Sequence, residues 1–345
     1  MNKTQAILDQ LQQRLVQGQY PPGSKFPSEY TLADEFKVSK VTINKIVSLL
    51  VEKGYLQRGP RGAGTKVAPG GSSGILAYIA PPTRYNNKIL MGILSECVRQ
   101  NYLLMYENSR TVDLELRVSQ MIRQGVGGFL CLDRNNFPIP PQYPMVWLDC
   151  GLEPRPEHEN CLFINSDDLD GGRKMMTEIF NRNHRDVLVY SSERYTLRQD
   201  NQLSPRLQGF LQIMQEWGVS DPERRIFYGA RGALEDAILF LDKYLPKFPA
   251  CTIIAADTDS GAQLLHRASL LLHRKIPGNV ALTGFGNITD LPIATVDQQP
   301  ERQGVIAVRE LLQAIKKKRP IRKQSELIPT SLSGLEHIPY QKSMA

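Results

Sequence analysis

The chain has 345 residues, of which 41% are hydrophobic and 22% charged, and a formal net charge of +7. That length is about twice an ordinary domain, and that apolar share fills real cores, which excludes a wholly disordered chain. No run approaches the ~18 apolar residues of a membrane-spanning helix, and the opening Met1-Asn2-Lys3-Thr4-Gln5 carries no signal-peptide stretch, so a cytoplasmic, nucleoid-associated protein is expected.

The first seventy residues read as three helices and a hairpin. Ile7, Leu8, Leu11, Leu15 and Val16 recur at helical spacing and stop at Gly18, and Pro21-Pro22-Gly23 turns the chain. Ser28 is placed to cap a short second helix carrying Leu32, Ala33 and Phe36. Ser39 does the same for a third, with Ile43, Ile46, Val47 and Leu50 on its buried side and Gly54 at its end. Tyr55-Leu56-Gln57-Arg58 and Thr65-Lys66-Val67 are strand-like and flank the glycine-rich Gly59–Gly64, which makes a winged helix-turn-helix.

This segment also concentrates the charge: ten basic against five acidic residues in positions 1–70 leave an excess of five. Away from its apolar stripe the third helix presents Ser39, Lys40, Thr42, Asn44 and Lys45, groups that contact base edges and phosphates in a major groove. In the wing, Gly62 and Gly64 let backbone amides approach closely, and Arg61 supplies a cation for a phosphate or the minor groove. Singly, Ser39 and Thr42 read as helix caps; the ordered set points to duplex DNA.

The segment resembles the winged helix of the GntR family of bacterial regulators. The matching residues are Pro22-Gly23, Pro27-Ser28-Glu29, Leu32-Ala33, Val38-Ser39-Lys40, Thr42, Leu49, Glu52–Leu56 and Gly62–Thr65. The resemblance adds Ser28 and Tyr30 to the DNA-facing set. It also exposes two departures: Tyr30 and Asn44 stand where that family usually has arginine, so the operator sequence does not carry over.

The first domain is assigned to residues 1–69. Ala68-Pro69-Gly70-Gly71-Ser72-Ser73-Gly74 cannot nucleate a core, and residues 70–74 are read as a flexible linker. Beyond it, apolar runs at 75–79, 103–106, 126–132, 145–148, 187–190, 226–228, 252–255 and 280–285 alternate with amphipathic segments. That alternation predicts an α/β fold with parallel sheets in two similar lobes, over residues 75–335, followed by a tail at 336–345. Ligands of such sheets bind beyond the carboxyl ends of the strands, which nominates Tyr85, Asp133, Asp149, Asp257 and Asn287.

This region resembles the effector domain of the LacI family and its periplasmic sugar-binding relatives. The motifs are Gly127–Leu130, Pro144–Asp149, Ile164–Asp168, Gly171-Gly172, Asn183–Arg185, Ser204–Phe210, Ile276–Phe285 and Thr295–Gln298 with Gly304. The resemblance implies a sugar or sugar derivative held between two lobes. Arg206 matches an arginine that clamps ligand oxygens, a task suited to a planar five-donor guanidinium. Asp149 and Asp257 match acidic positions near the cleft. The usual Asn-Asp is Ala256-Asp257 here and the usual Gly-Phe-Asp is Gly284-Phe285-Gly286, so two hydroxyl-binding side chains are missing unless Asn287 or Asp259 substitutes. GntR-type heads joined to this receptor are similar to arabinose-responsive repressors.

Sharper chemistry finds little support. Asp257-x-Asp259 is too common a pair to indicate a metal, and His266 and His273 are seven apart rather than four. In Gly125-Val126-Gly127-Gly128 the third glycine falls too early for a dinucleotide fingerprint. Cys97, Cys131, Cys150, Cys161 and Cys251 include no Cys-x-x-Cys pair, which favours reduced thiols. No nucleophile–base–orienter set emerges, so no enzyme, cofactor or metal is expected. The expected protein is a homodimeric repressor of carbohydrate-use genes, released from inverted half-sites by its effector. Two rivals stay open: a DNA-tethered enzyme using Asp257 and Asp259 on a phosphorylated sugar, and a ligand-free architectural DNA binder.

Overall fold

The computed structural model describes residues 3–16, 19–20, 23–52, 55–60, 63–67, 74–132, 139, 143–149, 161–191, 203–229, 232–317 and 325–341. At the amino end stand α1 (Lys3–Val16), α2 (Glu29–Phe36) and α3 (Lys40–Glu52), then an antiparallel hairpin of β1 (Leu56–Arg58) and β2 (Thr65–Val67) with Leu56 opposite Val67. Leu11, Leu32, Ile43, Ile46 and Leu50 are fully buried at the centre of this bundle, so each helix contributes the apolar stripe its spacing foretold. The caps form as the sequence suggests. Ser28 Oγ accepts from the Thr31 amide at 3.1 Å, and Ser39 Oγ accepts from the Thr42 amide at 3.1 Å. Lys37, in the left-handed region at φ 49°, closes α2.

The chain then continues through β3 (Ile75–Ile79), α4 (Arg84–Arg99), β4 (Leu103–Glu107), α5 (Leu114–Arg123), β5 (Phe129–Cys131), β6 (Met145–Leu148) and β7 (Cys161–Ser166). Next come α6 (Asp168–Asn181), β8 (Val187–Ser191), α7 (Pro205–Glu216), β9 (Ile226–Tyr228), α8 (Leu234–Leu239), β10 (Ile253–Ala256) and α9 (Asp259–Leu271). The last elements are β11 (Ala281–Phe285), β12 (Ala294–Asp297), α10 (Pro300–Lys317), β13 (Ser325–Ile328) and β14 (Ser331–Ser333). The apolar-run reading misses four of these strands: β7, β12, β13 and β14. β7 and β12 overlap motifs singled out by resemblance, whereas β13 and β14 are short and largely exposed.

Two six-stranded sheets result, ordered β13-β7-β6-β5-β3-β4 and β14-β12-β11-β10-β8-β9. Counted along the chain within each sheet, the strands lie in the same order, with the first flanked by the second and the third. The pairings among β3–β7 and among β8–β12 are parallel, and the added β14 is antiparallel to its neighbour β12. Strand order reverses between β3 and β5 in one sheet and between β8 and β10 in the other. These switch points are where open parallel sheets leave a crevice for ligands.

The chain divides into two compact units, Met1–Asn165 with Glu301–Glu326 and Ser166–Pro300 with Leu327–Ala345. The linker positions 70–73 lie outside the described residues. The tail expected at 336–345 is corrected as far as residue 341, because apolar burial and hydrogen bonds dock it on the second unit. Ile338 is buried there, the His184 ring meets the Pro339 carbonyl at 2.8 Å, and the Gln341 amide donates to the Arg182 carbonyl at 3.0 Å.

Within the second unit α6 and α7 cross at two glycines. A Cβ on Gly172 would overlap the Arg206 carbonyl, and one on Gly209 would overlap the Leu169 carbonyl. Backbone touches backbone here, with no flexible side chain to yield. Gly209→Ala is therefore expected to destabilise the protein by about 1–3 kcal/mol through overpacking. Urea denaturation checks it: the midpoint should fall while the slope stays unchanged.

Candidate functional site

On the head, α2 and α3 place the predicted DNA-facing residues side by side. Lys40 Nζ lies 4.0 Å from the centre of the Tyr30 ring, and hydrogen bonding to Tyr30 holds the ammonium above its ordinary pKa. Lys40 is thus a fixed cation at pH 7. Asn44 Nδ2 donates to Glu29 Oε1 at 2.7 Å. A carboxylate only accepts, so one N–H of the Asn44 amide is held by Glu29, and the second N–H and the oxygen are left to turn elsewhere. The hydroxyls of Ser39 and Thr42 bond to each other at 2.8 Å, and those of Ser28 and Thr31 at 2.7 Å. Each of these four side chains therefore serves its own helix end first. Lys45 is exposed. In the wing, Gly64 adopts φ 74° and its carbonyl accepts from the Gly59 amide at 2.8 Å, closing the hairpin tip. Arg61 and Gly62 lie outside the described residues.

In the second unit a polar cluster forms beyond the carboxyl ends of the strands. Asp168, at the start of α6, is its hub: Oδ2 accepts from Arg206 Nε at 2.8 Å, and Oδ1 accepts from Gln298 Nε2 at 2.8 Å and from the Ser166 hydroxyl. Arg206 sits in the first turn of α7 behind Pro205. Its Nη1 donates to the Asp257 carbonyl at 3.2 Å, and its guanidinium lies 4.4 Å from the centre of the Phe285 ring. Asp257 follows β10 and is only 2% exposed; its Oδ2 accepts from the Ser191 hydroxyl at the end of β8. The Ser191–Asp257 pair therefore spans the switch point of this sheet.

Asp259 proves to be an anchor rather than a stand-in for a missing hydroxyl ligand. It is fully buried, its Oδ1 accepts from Thr295 Oγ1 at 2.6 Å and its Oδ2 from the Ile288 amide at 2.6 Å. Burial pushes its pKa up against those hydrogen bonds. A Cβ on residue 284 would overlap Asp259 Oδ1, so the glycine there makes room for the carboxylate. What Asp259 holds is the loop bearing Asn287, whose own backbone is left-handed at φ 51° and whose amide donates to Thr295 Oγ1 at 3.2 Å. Of the two proposed substitutes, Asn287 alone remains partly open to solvent.

In the first unit, Tyr85 lies in the opening turn of α4 and accepts from Gln303 Nε2 at 3.0 Å. Asp149 ends β6 in the left-handed region at φ 50°, its amide donating to the Ile164 carbonyl at 3.0 Å. Asp133 lies outside the described residues. Sequence reasoning missed Ser166, Asp168, Ser191, Phe285 and Gln298 as site residues. Ser166, Asp168, Phe285 and Gln298 lie in motifs it quoted, and Ser191 directly follows an apolar run, so the rule that nominated Asp257 reaches it too.

Residues 3–67 match the family of bacterial regulatory proteins, gntR family, and residues 177–333 match the periplasmic binding protein-like domain. The chain carries a GntR-type helix-turn-helix domain followed by a periplasmic-binding-protein-like domain, the architecture of a ligand-responsive transcriptional regulator. Among curated relatives, the arabinose metabolism transcriptional repressor of Geobacillus stearothermophilus is 24% identical, with 88% of each chain covered. A putative ribose operon repressor from Burkholderia thailandensis superposes with TM-score 0.61 at 19% identity, covering 76% of this chain and 99% of that one. A LacI family regulator from Enterococcus faecium with bound ribose gives TM-score 0.61 at 16% identity, covering 78% and 100%.

Removing either partner of the Asp168–Arg206 pair should cost about 1–3 kcal/mol, because the other is left short of its hydrogen bond. In a double-mutant cycle with Asp168→Ala and Arg206→Ala, the coupling measured by denaturation should be about 0.5–3 kcal/mol. Strict additivity would mean that the pair does not organise the cluster.

Proposed function

We propose that the chain is a repressor of carbohydrate-use genes, releasing its operator when a sugar or sugar derivative binds the polar cluster of the second unit. The observation that carries this reading is that cluster itself: carboxylates and a guanidinium gathered at a switch point, on a chain whose amino end is a cationic winged helix. Carboxylates accept sugar hydroxyls and a guanidinium donates to ligand oxygens, so Asp168, Asp257 and Arg206 suit a polyol. Tyr85, Asp149 and Asn287 are proposed as further effector contacts. With Ala256 and Gly286 where carboxamide and carboxylate are usual, the effector engages fewer side-chain acceptors than a typical hexose. The arabinose-related name of one relative and the ribose in one structural neighbour favour pentoses.

On DNA, Lys40, Lys45 and Arg61 would hold phosphates, with Gly62 and Gly64 bringing the wing close. Ser28, Tyr30, Ser39, Thr42 and Asn44 would line the major groove. A receptor is favoured over an enzyme because Asp259 is fully buried and pinned by Thr295 and the Ile288 amide, which leaves the Asp257–Asp259 pair ill-suited to phosphoryl chemistry. We propose a homodimer, a reading supported by Met91, Leu94 and Val98, exposed along one side of α4, and by exposed Leu103 on the edge strand β4, an apolar strip suited to a second copy. Among the described residues no helix is long and apolar enough to cross a membrane. Effector binding can alter operator affinity only by favouring one conformer, and a coupling of about 1–3 kcal/mol gives roughly 5- to 150-fold regulation.

A thermal-shift screen of pentoses, deoxy sugars and sugar acids tests the reading. A true effector at 100 times its Kd stabilises by about 2.7 kcal/mol, and silence across the screen would leave only a ligand-free DNA binder. Arg206→Ala should abolish the effector response and spare operator binding by the ligand-free protein. Lys40→Ala should weaken binding to every duplex alike and lower the slope of log K against log salt by about 1. An unchanged slope removes Lys40 from the phosphate contacts.

A further inference from the structure

The outward face of α3 carries an apolar side chain that the fold does not use. The helix packs Ile43, Ile46, Val47 and Leu50 into the head, all at most 1% exposed. Val41, Asn44, Lys45 and Ser48 follow at i, i+3, i+4 and i+7 on the opposite side. Val41 is 80% exposed there, and Tyr30 on α2 is 71% exposed. A β-branched apolar residue in the first turn of a solvent-facing helix gains nothing from propensity or packing. Its surroundings are cationic and hydrogen-bonding: Lys40 lies against the Tyr30 ring, Lys45 is exposed, and Ser48 Oγ accepts from Arg58 Nη2 at 2.8 Å.

Positive charge around an isolated apolar group complements one surface in particular. The major groove is lined by phosphates and carries a single apolar base-edge group, the 5-methyl of thymine. Asn44 fits the same base pair. One N–H of its amide is taken by Glu29, and its oxygen can accept from the exocyclic amine of adenine one helical turn from Val41.

We infer that Val41 reads the 5-methyl group of a thymine in each operator half-site, making the head selective for a T·A pair at that position. The inference rests on the reading that this head binds duplex DNA, and its test separates the two. Duplexes selected by the full-length protein from a random-sequence library would be resynthesised with deoxyuridine in place of thymidine and compared by fluorescence anisotropy at one salt concentration. Loss of one buried methyl is worth about 0.8 kcal/mol, or about 4-fold in affinity per half-site and about 16-fold for a site with two. V41S, altered at an exposed position, should fold normally and bind both duplexes alike. Equal binding of the two duplexes by the unaltered protein overturns the inference while leaving DNA binding intact, as does an undiminished preference for thymidine in V41S. Failure to enrich any duplex overturns the DNA-binding reading and the inference with it.

Discussion

One carboxylate organises the second unit's polar cluster. Asp168 takes a guanidinium from α7, a carboxamide from the end of β12 and a hydroxyl from the end of β7, so three segments far apart in sequence converge on two oxygen atoms. The arrangement neutralises Arg206 without hiding it, and it leaves the guanidinium over the Phe285 ring with Nη1 directed at the Asp257 carbonyl. An incoming polyol would meet groups already oriented by one another, which lowers the ordering cost of binding.

The head follows a different economy, in which the same side chains cap helices and face outward. Ser39 and Thr42 close the start of α3 while remaining at the surface, and Glu29 opens α2 while fixing the Asn44 amide. Because the hydroxyls are already bonded to each other, base contacts made through them would have to compete with the caps. Val41, which is not so committed, would then carry more of the proposed discrimination.

Much of this was legible in the sequence. The apolar spacing of α1 to α3 and the serine caps announced the winged helix, and strand–helix alternation announced parallel sheets. What escaped was of two kinds. Strands such as Cys161–Ser166 and Ala294–Asp297 end in polar residues, so their apolar runs looked too short or too mixed to stand out. Roles set by three-dimensional convergence escaped as well. Asp259 looked like half of a reactive pair and is the pin of the Asn287 loop, whereas Asp168 stood out only as the end of a motif and is the hub of the cluster. Spacing reports which face a residue occupies; it does not report which distant oxygen or amide will meet it.

The crossing of α6 and α7 bears on selectivity. Asp168 and Arg206 each lie within one turn of a glycine at that crossing, and there the two backbones are already in van der Waals contact. Neither helix can slide toward the other, and a wider separation would open a void. The spacing of carboxylate and guanidinium is accordingly a fixed gauge, against which the oxygens of the proposed effector would be measured.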